Sequence, residues 1–341
     1  METILVLAHT EADGSLAKNA LEAVGAAKSL GGTLVVGLIG ENVQAAANQL
    51  ASCGATKFFG VSGPDFSQAR YGTDAAAAEA LVKAAKATVV IVPATSRWNR
   101  VLPGVAHRLA GRVDTHVTGI AVTGGALSVT RWYYRQRMEA VLQRTQRPWC
   151  VALESGCGEL WNGAAGTATV ESVAVTPGDT AKRTTVTGVK APASDQQTIR
   201  PDAKLLFVAG AGWTKKQSDG QPHVPEAEKL ILEFLGSTKA SLGSSKSLVD
   251  LSGEGQAVLP FMSHLNQIGQ TGATPRHPKG LSTCCHGEEP HAVGWRFISE
   301  RRAVNLDPNC GWARGKADVL YVADAFEVMR KVNALLAAKK H

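Results

Sequence analysis

The chain has 341 residues, 44% hydrophobic and 19% charged, a composition that excludes a disordered or fibrous protein and accommodates two cores of roughly 100–200 residues each. Its formal net charge is +7, but the basic residues are scattered and only 6% of residues are aromatic, which argues against nucleic-acid binding and fits an acidic protein partner or an anionic ligand equally well. No apolar run reaches the roughly 18 residues of a membrane span, the six cysteines contain no C-x-x-C pair, and no basic leader precedes the strand-like Ile4–Leu7, so a soluble protein of the reducing cytoplasm is expected.

In chain order, β-branched runs alternate with alanine-rich helical stretches. Strands are predicted at Ile4–Ala8, Thr33–Ile39, Lys57–Val61 and Thr88–Pro93, and helices near Leu16–Leu30, Val43–Cys53 and Thr73–Ala87. This spacing predicts parallel β-α-β units with helices on both faces of a sheet. Gly31-Gly32 offers a left-handed helix stop, and Thr73 is the predicted cap of the third helix.

From about Ser155 to Pro201 the pattern dissolves into Gly, Thr, Ser, Val and Lys, with Val170–Val175 and Thr184–Val189 reading as exposed strands or arms. The domain division is therefore placed here, giving an N-terminal doubly wound α/β domain with its connecting segment at residues 1–200, and a Rossmann-like α/β domain at 201–341. In the second, strands are predicted at Lys204–Ala209, Ala303–Leu306 and Val319–Val322, helices near Pro225–Leu235 and Phe326–Ala338, and glycine turns at Gly210–Gly212 and Gly243. Glycines at strand ends are where open parallel sheets bind ligands.

The strongest local signal is Gln267-Ile268-Gly269-Gln270-Thr271-Gly272, two glycines, two amides and a hydroxyl within six residues. Such a stretch brings backbone N–H groups close to a phosphate or ring edge, with Gln and Thr adding directed hydrogen bonds; alone, it also reads as a polar turn. It follows Gly243-Ser244-Ser245-Lys246 and precedes His286-Gly287-Glu288-Glu289-Pro290-His291, Val304–Pro308 and Ala323–Phe326. This order resembles the electron-transfer flavoprotein α family, in which GASR, QVGQTG, SGAIQH, INKDP and ADLF segments follow one another. Upstream, Pro93–Arg97 resembles that family's PATS segment and Thr130–Tyr134 its TRPIY region, so the likeness covers nearly the whole chain.

The resemblance implies an FAD held by Ser245, the loop Gln267 to Gly272, the turn His286 to His291, Asn305 and Asp324. It places Thr271 near flavin N5, His291 near the O2 carbonyl, and Asn305 and Asp324 at the adenosine end. It further implies a heterodimer with a β-type subunit, electrons taken from a partner dehydrogenase and passed to an acceptor such as a quinone oxidoreductase, and no organic substrate to transform. Three departures bear on the flavin. Trp213 follows Gly210–Gly212 where the family has an arginine, and either stacks on a ring or fills space; Lys246 replaces the GASR arginine, losing its planar guanidinium; and Glu288 and Glu289 replace an apolar pair. Less positive and more negative charge near the flavin lowers its reduction potential, unless the two glutamates point to solvent. The alternative is a relative that kept the fold, lost productive flavin binding and acts as a nucleotide-binding or scaffolding subunit.

Cys284, Cys285, His286, His291 and Cys310 raise the question of a zinc site, but adjacent cysteines share one tetrahedral site poorly, and no metal is expected. His9, His107 and His116 have no nucleophile or paired acid beside them in sequence, and are read as packed or surface residues. Trp132-Tyr133-Tyr134 reads as core or subunit interface.

Overall fold

The computed structural model describes residues 2–134, 138–188, 199–200, 203–250, 257–269, 275–283, 298–309 and 317–339. The chain divides into two compact units, residues 1–190 and 191–341.

In the first unit, β1 (Thr3–His9), α1 (Lys18–Lys28), β2 (Thr33–Gly40), α2 (Gln44–Gln49), β3 (Lys57–Ser62), α3 (Tyr71–Ala85) and β4 (Val89–Pro93) alternate as the sequence predicts, and α4 (Ser96–Arg108), which it does not predict, continues the alternation. They are followed by β5 (Arg112–Thr123), β6 (Ala126–Tyr133), β7 (Met138–Leu142), β8 (Trp149–Leu153), β9 (Val170–Ser172) and the short α5 (Asp179–Lys182). The sheet order is β7-β6-β5-β8-β4-β1-β2-β3-β9. Alternation along β1 sets the two faces: Ile4, Val6 and Ala8 pack with Ala20, Val24 and Leu50 from α1 and the end of α2, while Leu5 and Leu7 pack with Leu81, Trp98 and Val101 from α3 and α4. Helices thus cover both faces of a mostly parallel sheet. Only β5, β6 and β7 pair antiparallel, as an added ribbon.

The second unit contains β10 (Leu205–Ala209), α6 (Val224–Thr238), β11 (Ser241–Ser244), α7 (Lys246–Asp250), β12 (His277–Thr283), β13 (Ile298–Asn305), β14 (Val319–Val322) and α8 (Ala325–Ala338). Its five strands are all parallel, in the order β11-β10-β12-β13-β14. Phe207, Leu242 and Val304 face α6 and α8, whereas Leu206, Val208 and Ala303 pack with Ile268 and Ile298 on the other face.

Several local expectations change. Thr73 lies inside α3, fully buried, with its hydroxyl donating to the Arg70 carbonyl; the helix starts after Arg70 with no side-chain cap. Gly243 lies within β11 and makes no turn; a Cβ there would meet Ile268 Cγ2 at 2.9 Å, so the glycine serves close approach. The helix expected near Val43–Cys53 covers only Gln44–Gln49. Val170–Ser172 forms a strand on β3, but residues 184–188 form none, because their bonds go to side chains instead: Arg70 Nε donates to the Thr184 carbonyl and the Val186 N–H to Gln68 Oε1. These contacts tie the connecting segment to the first unit, and Arg200, hydrogen-bonded both ways to Ser241 Oγ, belongs to the second. Gly31 adopts the left-handed conformation at φ +70°, stopping α1.

Candidate functional site

In the second unit, β10 leads through α6 to β11 on one side, while β12 lies on its other side, so connections diverge at the C-terminal ends of β10 and β12. Ligands of open parallel sheets bind at such points. The two ends are stitched together by the Gly210 N–H donating to the Thr283 carbonyl at 2.9 Å. Trp213 follows in a 3-10 turn, Ala211–Thr214, with its ring fully buried against Phe326 at a centroid distance of 4.6 Å and its Nε1 donating to Thr283 Oγ1 at 2.8 Å. Of the two roles open to it in the sequence, Trp213 takes that of space filling. Both ring faces and the N–H are committed to the core, so stacking on a ligand ring would require it to leave.

On the β11 side, the Ser245 N–H donates to the Ala209 carbonyl, and Ser245 Oγ accepts the Leu248 N–H at 3.1 Å, which starts α7. Gln267 runs parallel to Ser244, and the Ile268 N–H donates to the Ser244 carbonyl at 3.1 Å, so this segment extends the sheet edge. The Ile268 side chain is core, which leaves its backbone for any ligand; Gly269 then turns at φ +125°. Beside them the Ser244 hydroxyl is buried with no hydrogen-bond partner. Lys246 is half exposed, and its Nζ lies 3.5 Å from Asp250 Oδ2, so part of its charge is locally balanced.

On the β13 side, Asn305 ends its strand nearly buried, its Oδ1 accepting the Asp307 N–H at 3.1 Å. Asp324 is the N-cap of α8, its Oδ1 accepting the Glu327 N–H at 3.0 Å. Both line a cavity of about 110 Å³ together with Gly212, Phe326, Lys215 and Lys216. Ser245, Lys246 and Gln267–Gly269 share the C-terminal sheet edge but do not line this cavity. Gln270, Thr271, Gly272, His286, Gly287, Glu288, Glu289, Pro290 and His291 lie outside the described residues.

Sequence reasoning misses Lys215 and Lys216. The signal is present: two consecutive lysines directly after a glycine turn at the end of a buried strand. No carboxylate among the described residues pairs with either. Among the described residues no group of three or more His, Cys, Asp and Glu could hold a metal, and Cys284, Cys285 and Cys310 lie outside them. Nor is any described helix long and apolar enough to cross a membrane.

A family model described as "Electron transfer flavoprotein domain" matches residues 4–178. The chain is also 25% identical over 320 residues to a Bacillus subtilis (strain 168) protein named "Electron transfer flavoprotein subunit alpha", an alignment that covers 93% of this chain and 92% of that one.

Proposed function

Because the chain belongs to the electron transfer flavoprotein family, as an α-type member, we propose that its second unit holds FAD and that it carries electrons from a partner dehydrogenase to an acceptor such as a quinone oxidoreductase. The observation that carries the reading is the cavity bounded by Asn305 and Asp324 at the C-terminal sheet edge, with Lys215 and Lys216 in its lining and no carboxylate among the described residues paired with either. An adenosine end offers hydroxyls and ring nitrogens to an amide and a carboxylate, and a pyrophosphate favours nearby lysines and a helix N-terminus. The buried, unpartnered Ser244 hydroxyl beside the Gln267–Gly269 segment fits the same group, since a polar atom of this kind needs a partner.

When bound, the isoalloxazine supplies the redox chemistry; the chain supplies binding, orientation and charge. Ser245 shapes the strand end, the backbone of Gln267–Gly269 approaches closely, and Asn305 and Asp324 orient the far end of the dinucleotide. Thr271 and His291 take the flavin-facing roles that the family resemblance assigns them. With Lys246 partly balanced by Asp250 and two acids at Glu288 and Glu289, the flavin potential is expected to lie low for the family. Redox titration of wild type and the E288Q/E289Q double variant tests this, the variant titrating at higher potential.

The β-type subunit is assigned to the antiparallel ribbon of the first unit, where Val122, Tyr134, Met138 and Val141 are exposed. Exposed apolar side chains along an edge strand call for a covering surface. Trp132 of the same ribbon is buried and so belongs to the core.

Co-expression with the β-type subunit is the direct test: the purified complex should be yellow and release FAD on denaturation. The packing of Trp213 into the strand-end crevice favours a second reading, a family member without productive flavin binding. A complex that stays colourless after incubation with excess FAD would establish that reading.

A further inference from the structure

Between the 3-10 turn Ala211–Thr214 and the start of α6, residues 215–222 form a short hairpin. Lys216 bridges antiparallel to Pro222, the Gln217 N–H donates to the Gln221 carbonyl at 3.0 Å, and Gly220 closes the bend at φ +81°. Asp219 braces the bend twice, its Oδ1 accepting the Gln221 N–H at 3.0 Å and its Oδ2 lying 2.7 Å from Nε2 of His223, the residue before α6. Gln217 fastens the hairpin to the strand end, its Nε2 donating to the carbonyls of Gly212 at 3.0 Å and Lys215 at 2.7 Å. None of residues 215–222 is buried, so this bracing adds nothing to the core. It fixes the shape of a surface element, and the purpose lies in what that element carries.

The hairpin carries Lys215, Lys216 and Gln217, all three in the lining of the cavity at Asn305 and Asp324. The charged groups of that lining are the two lysines and one carboxylate. Asp324 is engaged at the start of α8, where its Oδ1 accepts the Glu327 N–H and the helix dipole offsets its charge. The cavity is therefore biased toward an anion on the hairpin side. Its other wall presents the amide of Asn305 and, beside it, Leu306, an apolar side chain left 64% exposed. A ligand suited to both walls has phosphates at one end and, at the other, hydroxyls and a flat ring with apolar faces, which is the chemistry of a nucleotide.

We propose that the hairpin is the specificity element of this site: Lys215 and Lys216 take the phosphates of a nucleoside diphosphate, Gln217 is the positioning residue that holds them at the cavity, and the site binds ADP on its own as well as the ADP half of FAD. This rests on the reading of the cavity as the dinucleotide site, and adds that the phosphates supply the affinity without the isoalloxazine.

Calorimetric titration of the flavin-free full-length protein with ADP, adenosine and FAD, in magnesium-free buffer, provides the test. Wild type should bind ADP at least about tenfold more tightly than adenosine, and the advantage should shrink as salt is raised. The double variant K215A/K216A should melt with wild type, since both lysines are exposed, and should bind ADP no better than adenosine, with adenosine affinity unchanged. Gln217→Ala should lower ADP affinity more than adenosine affinity; an equal fall in both overturns its positioning role. An ADP advantage that is absent in wild type, or that survives in K215A/K216A, overturns the proposal and leaves the flavin reading standing wherever FAD binds. Lysine-dependent ADP binding without FAD binding upholds the proposal and sinks the flavin reading. Binding of none of the three overturns both.

Discussion

Asp114 joins more of the first unit than any local feature of the sequence indicates. It is fully buried on β5 and accepts from Trp149 Nε1 on β8 at 2.9 Å, from Arg131 on β6 at 2.9 Å, and from Nε and Nη2 of Arg144. Burial pushes its pKa up, but the bonds from Arg144, Trp149 and Arg131 outweigh that and hold it below the ordinary carboxylate value. A carboxyl lowered in the folded state contributes stability that is complete above the unfolded pKa and is lost as pH falls through the folded one. Asp114→Asn should therefore cost about 3–5 kcal/mol at neutral pH, because two arginines lose their counter-charge, and the deficit should shrink toward acid pH. Urea midpoints measured across that range check both. Cys150 illustrates the opposite effect, its thiol pushed up to about 12 by burial on the central strand β8. It should resist iodoacetamide at neutral pH in the native protein and react only on unfolding, whereas half-buried Cys157 should be modified first among the described cysteines; peptide mass mapping distinguishes the two.

At the scale of elements, α8 does two things with one residue. Asp324 caps the helix and lines the cavity with Asn305. Asp324→Ala should cost about 1 kcal/mol as a lost cap. Asp324→Ser restores the cap but not the carboxylate, so its denaturation midpoint should match wild type while FAD affinity falls in both variants; equal FAD affinity in all three would remove Asp324 from the site. The ribbon β5–β7 carries a different prediction. Val141 is 70% exposed on the edge strand, and Val141→Asp should leave the first unit folded while weakening association with the β-type subunit in size-exclusion chromatography. The ribbon is also the largest element that sequence analysis does not place. Most of β5 is exposed or half-buried on both faces, so no hydrophobic alternation marks it. α4 is similarly obscured by Pro103 and Gly104, although its buried Trp98, Val101, Leu102, Val105 and Ala106 follow helical spacing.

For the whole molecule, the clustering into residues 1–190 and 191–341 predicts that each part, expressed alone, unfolds in one cooperative transition by far-UV circular dichroism. The sequence by itself determines the alternating parallel β-α-β pattern of both units and the order of family motifs, because both reside in local periodicity and short contiguous strings. Asn305 and Asp324 are legible in this way: each lies where a predicted strand gives out, and the strand ends converge on one cavity. Only the tertiary structure decides the rest, since it depends on which strands become neighbours. It buries Trp213 in the core, removes Thr73 from its capping role, and makes Gly243 the point where Ile268 comes closest. It also gives His9 the acid that its sequence neighbours do not supply, because α3 delivers Asp74 to the end of β1 and α4 brings Arg97 to hold it there. Residues so distant in sequence meet through the order of strands in a sheet, and no local pattern encodes that order.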